Sequence, residues 1–75
     1  MELKKSGVIK ALYLKAQADK AKAEMALHLL ENQAVGIGDH TATDFFEDAE
    51  KALESLVDAN DKIQLIKQKY DQYID

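Results

Sequence analysis

Val35-Gly36-Ile37-Gly38-Asp39-His40-Thr41 is the stretch that decides how this chain folds. Its two glycines, placed within three residues, interrupt a pattern that otherwise reads as helical from end to end. Glycine has no Cβ, so it closes a helix in the left-handed conformation without steric cost. Gly36 is the expected residue just past a helix C-terminus, with Ile37 tucked back over the end of the pair. The chain on either side then forms one helix over about residues 6–33 and a second over about 41–74, joined by a loop at 34–40. The expected fold class is all-α: two long helices in an antiparallel hairpin, a single domain spanning residues 1–75. Its turn consists of Gly36, Ile37, Gly38, Asp39 and His40. Thr41 and Asp44 resemble a capping box for the second helix, with Asp in place of the usual Glu, and His40 and Phe45 fall at the hydrophobic-staple positions. Asp39 or Thr43 would serve as alternative caps.

Working outward, the segment before the loop is rich in Ala, Leu, Lys and Glu, all strong helix formers, and the chain contains no Pro. Placed on a wheel at about 100° per residue, this segment shows two apolar faces. One holds Val8, Ile9, Leu12, Ala16, Ala23, Ala26, Leu27 and Leu30. The other holds Ala11, Leu14, Ala18, Ala21, Met25 and Leu29. Lys15, Lys22 and Gln33 separate them on one side, and Tyr13, Gln17, Lys20, Glu24 and Glu31 on the other. A surface helix of a monomer needs one apolar stripe. A helix with two expects neighbours on both.

After the loop the pattern is simpler. Phe45, Ala49, Ala52, Leu56, Ala59, Ile63, Ile66, Tyr70 and Tyr73 recur at steps of three and four, widened on one flank by Phe46, Leu53 and Ile74. The opposite face is charged or amide. Acids crowd the first turns and Lys62, Lys67 and Lys69 the last, as the helix dipole favours. Alanines at 16, 18, 21, 23 and 26, set against Ala49, Ala52 and Ala59, predict a closely spaced seam. In a hairpin turning near residue 37, paired positions sum to about 75. That brings Leu29 and Leu30 near Phe45 and Phe46, and Leu3 and Val8 near Tyr70 and Ile74.

Composition removes several classes of function. The net charge is −4 and there is no Arg, so a basic face for nucleic acid and bidentate phosphate contacts are both missing. No run approaches the roughly 18 apolar residues of a membrane span, and the N-terminus is too polar for a signal-peptide core. Cys is absent, which excludes disulfides and thiolate metal sites. The expectation is a soluble protein of the cytoplasm, with no nucleic-acid or membrane partner.

Candidate chemical groups each have a plainer reading. Glu24, His28 and Glu31 lie close together on the first helix, but di-iron bundles use Glu-x-x-His and matching acids on further helices. Here the spacing is Glu-x-x-x-His, and a solvated flank accounts for it. Asp39-His40 at the loop tip lacks a pocket that could exclude water or position a substrate. Gly36-x-Gly38 has neither the preceding strand nor the further residues of a phosphate loop. Asn60 borders the second stripe, where it either fixes register or faces the rim. Tyr70 and Tyr73 read as an end plug with their hydroxyls in water. No catalytic, cofactor-binding or metal residue is assigned, and the chain is not read as an enzyme.

Charge placement adds one expectation. Residues 1–34 carry six Lys against four acids, and residues 35–75 carry four Lys against ten. In the hairpin Glu31, Asp39, Asp44, Glu47, Asp48 and Glu50 gather at the loop end, while Lys4, Lys5, Lys10, Lys67 and Lys69 gather at the open end. Two hairpins packed head to tail would match these ends. The expectation is a homodimer, an antiparallel four-helix bundle with Ala11, Leu14, Ala18, Ala21, Met25 and Leu29 at its interface. The alternative is an adaptor or inhibitor whose second face receives a helix from another protein of a host or phage. A metal-binding bundle is the remote third.

The run Glu31-Asn32-Gln33-Ala34-Val35-Gly36-Ile37-Gly38-Asp39-His40, with the acidic helix ending Asp61-Lys62-Ile63-Gln64-Leu65-Ile66-Lys67, resembles a group of small proteins encoded by marine cyanophages and marine bacteria. Their turn commonly reads Asn, two residues, then Gly-Ile-Gly-acid-His. The resemblance covers roughly residues 30–67, and this chain departs from it where a Pro often follows the His. It implies a helical hairpin in a bacterial or phage-infected cell. The group has no established activity, so no function is transferred.

Overall fold

The computed structural model describes residues 7–33 and 42–74. The chain folds as two long helices, α1 (Val8–Gln33) and α2 (Ala42–Lys69), followed by a short 3-10 turn at Asp71–Tyr73. The turn residues Gly36, Ile37, Gly38, Asp39 and His40, with Leu3, Lys4, Lys5 and the cap residue Thr41, lie outside the described residues. At the start of α1, the Ala11 amide donates to the carbonyl of Gly7 at 3.1 Å, which makes Gly7 the residue entering the helix.

Helix α2 carries Asp44 in its first turn and Lys67 and Lys69 in its last, so its ends complement its dipole. Helix α1 has no acid in its first turn and no base in its last. Its order therefore depends on side-chain propensity and on packing against α2.

The two helices run antiparallel along their length. Ile9, Leu12 and Ala16 share a groove with Leu65, Ile66 and Tyr70, while Ala23 and Ala26 share another with Ala52 and Ala59. Buried among the described residues are Ala16, Ala23, Ala59, Ile63 and Ile66, a seam of three alanines and two isoleucines. Small side chains let the backbones approach closely. Ile9, Ala26, Leu27 and Leu30 of α1 are half-buried, as are Phe45, Ala49, Ala52 and Leu56 of α2.

Several expected seam residues sit elsewhere. Val8 is 68% exposed and Leu12 51%, although both belong to the face expected against α2. On the wheel they fall to one side of the Ala16–Ala23 line, and Leu12 there faces Lys62 and Leu65 across an open groove rather than a covering side chain. Ala18 and Ala21 are exposed, since they lie on the far side of α1. Leu29 and Phe46, expected together near the loop end, are both exposed, whereas Leu30 and Phe45 are drawn partly inward. Asn60 is exposed, as a rim residue would be.

The α-helix stops at Lys69 rather than running to Ile74. Tyr70 has φ −133° and ψ 28°, and the chain tightens into bonds from Tyr73 N–H to the Tyr70 carbonyl (3.0 Å) and from Ile74 N–H to the Asp71 carbonyl (3.2 Å). Lys10 Nζ donates to the Ile74 carbonyl at 2.7 Å, so the first turn of α1 satisfies a carbonyl that the ended helix leaves free. The Tyr70 and Tyr73 rings pack tilted, with centroids 6.4 Å apart. The result is a slender rod of 55 × 21 × 15 Å.

Candidate interaction surface

The rod is thin because its interior is small. No large side chain is fully buried among the described residues, and no polar or charged one is buried. The radius of gyration is 16.6 Å, against about 11 Å for a compact chain of this length. The accessible area is 5840 Å², whereas a compact monomer of this mass exposes about 4,600 Å². The excess, about 1,200 Å², is larger than the roughly 800 Å² that each partner contributes to a standard protein–protein interface.

The uncovered apolar surface is concentrated. On α1, Ala11, Leu14, Ala18, Ala21, Met25 and Leu29 are all exposed, with Leu14 at 52%, Met25 at 65% and Leu29 at 52%. Their spacings of 3, 4, 3, 4 and 4 residues keep them on one stripe, and that stripe points about 180° away from the Ala16–Ala23 line. Contact with α2 therefore leaves this outer face untouched. It is the face that the two-stripe reading of the helix singles out.

A second patch lies on α2. Phe46, Leu53 and Val57 are exposed and share one flank at spacings of seven and four. Phe46 and Leu53 were legible as the widening of the stripe. Val57 and the exposed Leu65 fall outside the apolar stripe that the sequence spacing marks, although the 46–53–57 spacing is itself helical.

Charges frame these faces locally. Lys15 Nζ bonds Asp19 Oδ2 at 2.8 Å, and Lys62 Nζ lies 2.9 Å from Asp58 Oδ2, each within one helical turn. The hydrogen bond from Lys15 holds the Asp19 carboxyl below its ordinary value of 3.8, and the bond to Asp58 raises the Lys62 ammonium above 10.5. Both groups are solvated, so such pairs contribute little to stability.

The groups considered for chemistry are dispersed. Asn32 Nδ2 donates to the His28 carbonyl at 3.0 Å and sits 3.1 Å from His28 Nε2, which engages the imidazole with its own helix. Among the described residues no three His, Asp or Glu side chains converge as metal ligands. The grooves between the helices are open channels. The larger, about 470 Å³, runs from Ile9 and Leu12 to Leu65 and Tyr70; the other, about 420 Å³, has Asp19, Lys22, Lys51 and Asp58 on its rim. Small-molecule sites enclose most of their ligand, and these grooves, one lined by Ile9, Leu12, Leu65, Ile66 and Tyr70 and the other floored by Ala23, Ala26, Ala52 and Ala59, are open along one side. No described helix is long and apolar enough to cross a membrane.

Comparison with known proteins gives no match: no family model fits the chain, and no curated protein or solved structure is significantly similar to it.

Proposed function

We propose that this chain is a non-enzymatic helical interaction module that self-associates through the outer face of α1. The single observation that carries the reading is the exposure of Leu14, Met25 and Leu29 on a stripe that contact with α2 does not reach. Among the described residues the interior comprises two isoleucines and three alanines, a small core for a self-supporting chain. Covering the outer face supplies the missing apolar burial at about 25 cal/mol per Å², before the cost of association. In this reading the chain acts by assembly, as a homodimer of hairpins with four helices, inside the cell that makes it.

A second reading, an adaptor or inhibitor that receives a helix from another protein, is favoured by the Phe46–Leu53–Val57 flank. That flank stays exposed when α1 is covered and fits the helix-in-groove mode of recognition. Molar mass by light scattering after size exclusion, over a wide concentration range, tests the primary reading. A stable multiple of 8.4 kDa is the expected result. A folded monomer at all concentrations overturns it in favour of the adaptor.

A further inference from the structure

The apolar patch on α2 sits in a charged setting of its own. On a wheel at about 100° per residue, Phe46, Leu53 and Val57 lie about 120–160° round α2 from the buried Ala59. They run for about 16 Å along the helix, three turns, before Gln64 ends the stripe. All three are exposed, Phe46 at 64%. Glu50, Asp61 and Glu54 lie about 40–80° beyond the midline of the stripe, on the side away from α1. Glu24 and Glu31 border it from α1, about 60–80° round that helix from the buried Ala16.

The opposite side of the rod is built differently. There Lys22 shares one groove with Lys51 and Asp58, and Lys15 shares the other with Lys62 and Asp19. Asp19 holds Lys15 at 2.8 Å, and Asp58 holds Lys62 at 2.9 Å. Among the described residues, Glu24, Glu31, Glu50, Glu54 and Asp61 form no such pair. Lys20 is the one described ammonium on their side along this stretch. The apolar stripe is therefore rimmed on both edges by carboxylates that the described chain leaves unmatched.

We infer that this flank of α2 docks a basic amphipathic helix of another protein. The partner presents large apolar side chains at steps of three and four over about three turns, with Lys or Arg along both edges of that stripe. Apolar contact supplies the affinity. The carboxylate rim sets partner choice and encounter rate, because exposed ion pairs each add little to affinity. Acids on both edges call for bases on both edges, so an acidic helix with the same apolar face is turned away by like charge. The inference rests on the adaptor reading of this flank and adds the chemistry of the partner. It does not depend on self-association, since covering the outer face of α1 leaves the flank open.

Two synthetic peptides of about 16 residues provide the test, each with Leu at helical spacing on one face. One carries Lys on both edges of the Leu stripe and the other carries Glu there. Each labelled peptide is titrated with the full chain by fluorescence anisotropy, and the chain's own molar mass is measured alongside. The Lys peptide should bind about tenfold more tightly than the Glu peptide at low salt, with the gap narrowing as salt rises. Leu53→Ser should weaken the Lys peptide by about tenfold, with helicity by circular dichroism unchanged. Glu50→Gln combined with Glu54→Gln should narrow the gap without touching an apolar side chain. Equal binding of both peptides that Leu53→Ser still weakens overturns the basic partner and leaves the adaptor reading standing. Binding of the Lys peptide that Leu53→Ser does not change places the contact elsewhere and overturns the inference. No binding of either peptide overturns both. A fall in the chain's own mass on Leu53→Ser makes a second copy the occupant and also overturns both.

Discussion

Lys10 and Ile74, sixty-four residues apart, are joined by a 2.7 Å hydrogen bond from the ammonium to the main-chain carbonyl. The bond is partly buried and ties the start of α1 to the end of the chain beyond α2. Replacing Lys10 with Met keeps the aliphatic stem and removes the donor. The cost is about 1–2 kcal/mol, since a charged donor makes a stronger bond and partial exposure weakens it. Amide exchange should show faster opening at Tyr73 and Ile74, with the centre of α2 unchanged.

The outer face of α1 gives the strongest test of assembly. Leu14→Glu and Met25→Glu each place a charge where Leu14 and Met25 are now apolar and exposed. In a lone hairpin, surface changes of this kind move stability by about 0.5 kcal/mol at most. In an assembly that covers them, each should shift the mass toward 8.4 kDa and lower the melting temperature steeply. Phe46→Ser is the companion experiment, and it should leave the mass unchanged. If both Glu variants stay associated with unaltered melting, the outer face is not the interface.

The alanine seam makes the opposite prediction for size. Ala59 is 1% exposed and Ala16 is 2% exposed. Ala59→Leu forces extra volume between the helices and should destabilise by about 1–3 kcal/mol. Ile63→Ala removes volume from the same seam and should cost about 2–4 kcal/mol. Denaturant midpoints measured at one fixed chain concentration compare the two. A stabilising Ala59→Leu would mean that the helices stand further apart than the seam implies.

Asp19 should titrate below 3.8 because Lys15 donates to its carboxylate. Its folded-state value is depressed, so the contribution is present above the unfolded-state value and lost as the pH falls through the folded one. Lys62 has the opposite sign: its value is raised above 10.5, and its contribution is lost as the pH rises past that range. Carboxyl NMR titration at low and high salt checks the first. Screening by salt should return Asp19 toward its ordinary value.

Much of this architecture is legible in the sequence, for a physical reason. Apolar residues at steps of three and four over more than seven helical turns leave little choice but two helices, and the seam alanines at 16, 23 and 59 are buried as their spacing implies. Periodicity gives a direction but not a width. Val8 and Leu12 fall at the edge of the inner stripe, and whether an edge residue is covered depends on what the facing helix presents there. The early end of α2 escaped the pattern too, because Tyr70, Tyr73 and Ile74 continue the apolar spacing beyond Lys69 where the backbone turns. The bond from Lys10 to a main-chain carbonyl leaves no trace in side-chain periodicity. The outer face of α1 was readable residue by residue, since exposure there follows from the wheel alone.

Under the proposed self-association, a slight interior ties folding to supply. Where covering α1 provides a large part of the free energy that keeps the chain ordered, the folded fraction follows mass action. Each tenfold dilution then removes about 1.4 kcal/mol from the ordered state. Copies made in small numbers stay open to proteases, and copies made in abundance protect one another. A chain that assembles as proposed responds to its own abundance.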